Sequence, residues 1–157
     1  MRRTTVYTEN ALEEKEADAL YEKLEKLPWK QGVRSRTGTT RLAHNLDLNS
    51  CLGEEILDLV EKVLKNDPTN TKYIVFGVYL NYYKNGDMYT PNHTHKGTHQ
   101  LVISLGATRS LVLGKKGKRM KNGDAILFGS SLHGVPKEPD VKEGRISIAT
   151  FMLPLSI

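Results

Sequence analysis

Four of the chain's five histidines fall between His93 and His133. His93 and His95 are separated by one residue in Pro91-Asn92-His93-Thr94-His95, and His133 follows in the polar stretch Ser130-Ser131-Leu132-His133-Gly134-Val135-Pro136. In an extended strand, residues two apart point to the same side, so the imidazoles of His93 and His95 can take adjacent positions on one metal ion. His133 comes just after an apolar run, where a neighbouring strand end could supply a third nitrogen and leave positions open for substrate and oxygen. The same residues can also be read as surface or core histidines without a metal; their clustering favours a ligand set. His99 suits a strand start or a contact behind the ligands. His44 has no partner in view and is read as structural or substrate-adjacent.

These residues must be held by surrounding elements. From Asn10 to Leu27, the apolar residues Leu12, Ala19, Leu20, Leu24 and Leu27 fall near a 3.6-residue period, with Asn10 and Glu13 at capping-box spacing and Pro28 as the stop. A second helix is expected to open near Asn49 or Ser50, to carry Leu52, Ile56, Leu59, Val60 and Val63, and to end at Asn66-Asp67-Pro68. From Tyr73 the character changes to short β-branched and aromatic runs: 73–83, 100–105, 109–113, 124–128 and 145–153. Gly- and Asn-containing turns separate them, as in a sandwich or barrel with the two helices covering one face.

The 157 residues correspond to one domain large enough for a core. Apolar residues at 38% and charged residues at 26% are those of a globular rather than a disordered chain. No apolar run reaches the roughly 18–20 residues of a membrane span, and no apolar segment of a secretory signal follows Arg2 and Arg3. Cys51 is the lone cysteine, read as buried or incidental, which fits a reducing, cytoplasmic setting. The net charge of +5 points to an acidic partner, of which nucleic acid is the commonest for a small basic domain. Lys115, Lys116, Lys118, Arg119 and Lys121 read as a solvated turn. Arg34, Arg36 and Arg41 lie in a polar, Gly-containing stretch read as a loop or hairpin that could face substrate.

Six blocks in order now carry a family resemblance: Asn81-Tyr82-Tyr83-Lys84-Asn85-Gly86, the His93/His95 pair, Ile103 to Arg109, Asn122-Gly123-Asp124-Ala125-Ile126-Leu127, His133-Gly134-Val135-Pro136 and Arg145-Ile146-Ser147. Over about residues 75 to 153 the chain resembles the AlkB-like family of Fe(II)- and 2-oxoglutarate-dependent dioxygenases. The resemblance implies an α+β, mainly β fold: a double-stranded β-helix, or jelly roll, at 73–157, with 1–72 as helical support and substrate loop. It implies Fe(II) held by His93, His133 and, in the middle position, His95, with 2-oxoglutarate as cosubstrate and O2 as oxidant. Arg145 falls where the family salt-bridges the distal carboxylate of 2-oxoglutarate; Asn81 and Tyr83 fall where side chains contact the same molecule. A bidentate guanidinium suits that carboxylate in a dry pocket, and an unpaired charge in an apolar strand would be costly. A strand with its charge in solvent is the alternative for Arg145, and backbone-satisfied core polar groups the alternative for Asn81 and Tyr83.

The chain departs from that pattern in three places. His95 replaces a carboxylate ligand, which leaves the centre one unit more positive and disfavours higher oxidation states of iron. Asp87 could substitute only if its loop folded back. Phe151 stands where the family has a second arginine, and the region before Tyr73 is short for a nucleotide-recognition lid. The leading expectation is oxidative hydroxylation or demethylation of a modified nucleic-acid base; the alternatives are a hydroxylase of a protein or small molecule, or a catalytically weak jelly-roll binding module.

Overall fold

A computed structural model of the chain describes residues 3–31 and 41–155. The elements run β1 (Val6–Thr8), α1 (Glu14–Glu25), β2 (Lys30–Gln31), β3 (Leu42–Asn45), α2 (Cys51–Leu64), β4 (Tyr73–Tyr83), β5 (Thr90–His93), β6 (His99–Gly106), β7 (Arg109–Leu113), β8 (Lys116–Met120), β9 (Ala125–Phe128), β10 (His133–Val135) and β11 (Arg145–Pro154). One sheet has the order β1-β9-β6-β11-β4-β3-β2 and the other β5-β10-β7-β8. Every pairing is antiparallel. The two sheets form the expected jelly-roll core, and both helices pack on the outer face of the larger one.

Strand β11 lies between β4 and β6 and divides the molecule by its alternation. Ile146, Ile148 and Met152 are fully buried and join Leu80, Ile103, Leu24 and Ile56 in the core beneath the helices. Arg145, Ser147, Ala149 and Phe151 point the other way, into a cavity between the sheets. Their partners on β4 are Tyr83, Asn81, Tyr79 and Gly77, and on β6 Gly106, Ser104, Val102 and Gln100. A second, smaller core of Leu111, Met120, Ile126, Phe128 and Val135 fills the space between the sheets.

The second helix starts where expected, with the Ser50 side chain accepting from Gly53 N–H at 2.9 Å. The first does not. Helix α1 begins only at Glu14, Asn10 has a positive φ of 52°, and Glu13 makes no side-chain cap. The cause is tertiary: Asn10 N–H donates to the buried Asp124 carboxylate at 3.0 Å, and Leu12 N–H donates to Gly123 O at 3.0 Å. Residues 9–13 are therefore pinned to the turn before β9, and it is Ala17, rather than the exposed Ala19, that completes the buried stripe.

The region before Tyr73 is more than helical support, since β1, β2 and β3 extend both edges of the larger sheet. The stretch Lys116–Met120 is a strand rather than a turn, although its charges are solvated or paired at the surface: Lys121 reaches Glu9 at 2.6 Å and Arg119 meets Glu138. Cys51 is exposed, not buried. Among the described residues, no helix is long and apolar enough to cross a membrane.

Gly134 sits where β10 is flanked by β5 and β7, and a Cβ there would lie 2.9 Å from both Asn92 N and Thr90 O. Backbone atoms cannot yield as a flexible side chain does. Gly134→Ala is expected to cost about 1–3 kcal/mol in urea unfolding through forced separation of β5 from β10.

Candidate metal centre

His133, the first residue of β10, is the register partner of His93, the last residue of β5. That pairing brings two imidazoles from distant parts of the sequence to a centroid separation of 4.3 Å. His95 lies two residues beyond the end of β5, and its ring is 4.8 Å from that of His93 and 5.5 Å from that of His133. One nitrogen from each of the three lies within 4.8 Å of the others. His93 Nδ1 is 2.8 Å from Pro91 O, and His133 Nδ1 is 2.9 Å from Ser131 O. A carbonyl can only accept, so each Nδ1 carries a proton and Nε2 is the nitrogen of each ring left to face a metal.

The cavity beside this cluster has a volume of about 890 Å³. Arg145 lines it and is only 1% exposed. Its Nε donates to Ser104 Oγ at 2.8 Å, and its guanidinium lies 5.4 Å from the Tyr83 ring centre. Its Nη1 is buried with no hydrogen-bond partner. Burial pulls the guanidinium's pKa below its ordinary value, which the neighbouring Tyr83 partly opposes. The alternative of a solvated charge is thereby removed. Tyr83 itself is buried, its hydroxyl 2.7 Å from Thr90 Oγ1. Asn81 Oδ1 accepts from Arg41 Nε at 2.8 Å, and Asn81 Nδ2 reaches Ser147 Oγ at 3.4 Å.

The structure therefore brings His93, His95, His133, Asn81, Tyr83, Arg145 and Arg41 to one cavity. Arg34 and Arg36 lie outside the described residues. Asp87 stays exposed in the β4–β5 turn, apart from the imidazoles. His44 faces the helical side, against Trp29. His99, buried on that same side, meets the Tyr73 hydroxyl at 2.8 Å.

Sequence reasoning missed three contributors. Gln100 is 2% exposed on the cavity face of β6, with Nε2 at 3.5 Å from His133 Nε2. Its signal was the alternation Gln100, Val102, Ser104, which places a polar amide on the same face as a small hydroxyl. Thr90 carried no such signal. An aromatic wall of Phe76, Tyr79 and Phe151 also borders the imidazoles, with the Phe151 ring 4.8 Å from that of His95.

The electrostatics are one-sided. Arg41, Lys96 and Arg145 line the cavity, and its described lining contains no Asp or Glu. Burial is the main cause that lowers the His133 pKa, to about 4, with His93 and His95 adding to it and the Ser131 carbonyl opposing it. The His95 pKa is lowered first by burial, then by His93 and Arg41.

No family model matches the chain, and no curated protein does. Solved structures do. The chain is similar to an oxidoreductase of the 2OG-Fe(II) oxygenase family from Burkholderia pseudomallei, at 18% identity, 95% of this chain, 84% of that one and a TM-score of 0.68. It is also similar to the viral collagen prolyl hydroxylase of Paramecium Bursaria Chlorella virus-1 in its 2-oxoglutarate complex, at 16% identity, 96% of both chains and a TM-score of 0.65. HygX from Streptomyces hygroscopicus, with nickel, 2-oxoglutarate and hygromycin B bound, aligns at 10% identity over 96% of this chain and 82% of its own, with a TM-score of 0.72. At these identities the likeness establishes the shared jelly-roll fold.

Because the folded His133 has a lowered pKa, the unfolded chain binds more protons between about pH 6.5 and 4, and stability falls as pH drops through that window. Urea unfolding of the metal-free protein should show a loss of about 2 kcal/mol from pH 7 to pH 5 from this group. His133→Gln should remove that component of the pH dependence.

Proposed function

We propose that the chain is a metal- and 2-oxoglutarate-dependent oxygenase that hydroxylates a C–H bond, with Fe(II) as the metal. The observation that carries this reading is a buried guanidinium with an unpartnered Nη1 in the same cavity as three converging imidazoles. A cation removed from water with no carboxylate beside it in the described lining is costly, so the cavity suits an anion. The donor chemistry suits both groups: neutral Nε2 atoms for a divalent metal, and an Arg fork for a carboxylate.

His93, His95 and His133 would hold the metal, and Arg145 the distal carboxylate of 2-oxoglutarate. Asn81 and Tyr83 would contact the same molecule, with Tyr83 kept in place by Thr90. Together, iron and 2-oxoglutarate supply an oxidation in which O2 is consumed, succinate and CO2 leave, and a substrate C–H becomes C–OH. On an N-methyl group the product collapses to formaldehyde. The chain's own part is positional. The carbonyls of Pro91 and Ser131 fix the His93 and His133 rings by accepting their Nδ1 protons. Ser104 fixes the Arg145 fork, while Val102, Leu111, Val135 and Ala149 keep water from the cosubstrate end.

For the substrate, a modified nucleic-acid base draws support from the net charge of +5, from Arg41 and Lys96 beside the imidazoles, and from the aromatic wall on which a base could stack. A second reading, hydroxylation of a peptide or small molecule, is favoured by the mutual 96% coverage with a collagen prolyl hydroxylase and by the likeness to HygX, solved with hygromycin B. A single-stranded oligonucleotide bound through phosphates should lose affinity steeply and linearly in log salt. A flat salt response would favour the second reading.

With Fe(II), 2-oxoglutarate and O2, succinate should accumulate, and His133→Ala should abolish it. Absence of turnover on any modified oligonucleotide, peptide or small molecule by metal-loaded protein would leave a jelly-roll binding module.

A further inference from the structure

We infer that Phe151 is a positioning residue for the third metal ligand, its ring holding the His95 imidazole in the orientation that turns a nitrogen toward His93 and His133. The inference rests on the metal reading above. His93 and His133 are held twice, by the register of β5 with β10 and by Nδ1 hydrogen bonds to backbone carbonyls. His95 has neither support. It lies beyond the end of β5, and among the described residues no hydrogen bond reaches either of its ring nitrogens; only its backbone carbonyl is tied, accepting from Thr98 Oγ1 at 3.0 Å.

Among the described residues, the aromatic ring that meets His95 besides the other two imidazoles is Phe151, at 4.8 Å between centroids and an interplanar angle of 88°. An edge-to-face contact has a preferred geometry that an aliphatic side chain does not impose, so it can select a ring orientation and not merely fill space. Phe151 is itself firmly placed. It lies on β11, in register with Gly77 and Gln100. The Tyr79 ring crosses it at 5.1 Å and 87°, and Phe76 closes from the side at 6.3 Å. Tyr79 can lie there because Gly77 has no side chain: a Cβ at that position would be 3.1 Å from the Tyr79 ring. The central strand thus carries Arg145 near one end and, six residues on, the ring that orients His95.

The test uses Co(II), whose visible absorption reports ligand number and geometry, added to the metal-free full chain. Phe151→Ala should weaken Co(II) binding roughly 10- to 100-fold, the usual effect of losing a residue that orients a ligand, and should shift the spectrum toward that of His95→Ala. Phe151→Tyr, which keeps the ring, should retain the parent affinity and spectrum. In a His95→Ala background, Phe151→Ala should change affinity little, because the ring would have no ligand left to orient. If Phe151→Ala fails to unfold cooperatively, Phe151→Leu replaces it, since it keeps apolar volume without the ring. Parent-like affinity and spectrum in the ring-less variant, or the same fold-loss with and without His95, would overturn the inference alone. Failure of the parent chain to take up Co(II) would overturn the metal reading and this inference with it.

Discussion

The pairing of β11 with β4 on one side and β6 on the other is the constraint from which the rest of the molecule follows. Side chains alternate along a strand, so a one-residue slip would turn Arg145, Ser147 and Ala149 into the helical core and expel Ile146 and Ile148 from it. The helices are what prevent that slip. Leu20 and Leu24 of α1 and Ile56, Val60 and Val63 of α2 press on the fully buried Ile146, Ile148 and Met152. The apolar face of the larger sheet therefore sets the register by which its polar face presents the Arg145 guanidinium, the Tyr83 and Ser147 hydroxyls and the Asn81 and Gln100 amides to the cavity.

Within that cavity, charge and burial reinforce one another. Arg145 is stripped of water, its Nε tied to Ser104 and its Nη1 left without a partner, and the described lining offers no carboxylate to neutralise it. Burial lowers the pKa of both His95 and His133, keeping their lone pairs available to a metal. On the proposed metal reading, an uncharged ligand set would leave the full divalent charge beside Arg41, Lys96 and Arg145, and the site would seek an anion more strongly than one with a carboxylate ligand.

The strands that carry the alternation were legible in the sequence, since β4 and β7 have the bounds that the β-branched and aromatic runs imply and β11 exceeds its run by one residue. So was the start of α2, where a serine cap acts locally. What the sequence hid was tertiary. The Asn10 cap gave way to Asp124, more than a hundred residues away, and three-residue strands such as β1 and β10 are too short to show a period. In the site, His93 and His95 were readable as a pair, but the direct opposition of His133 to His93 depends on strand pairing, which no local pattern encodes. Phe151 was visible only as a departure from a family pattern; its contact with His95, another of the departures, required the fold.

On the proposed function, one small dianion bridges the metal held by the imidazole cluster and the guanidinium of Arg145. Anaerobic calorimetric titration of 2-oxoglutarate into the chain, with and without Fe(II), tests it most directly. One molecule should bind per chain, tightly only when the metal is present, and about tenfold or more weakly in Arg145→Leu, where a charge-assisted pair is lost. Binding indifferent to both the metal and Arg145, or no binding at all by metal-loaded protein, would contradict it.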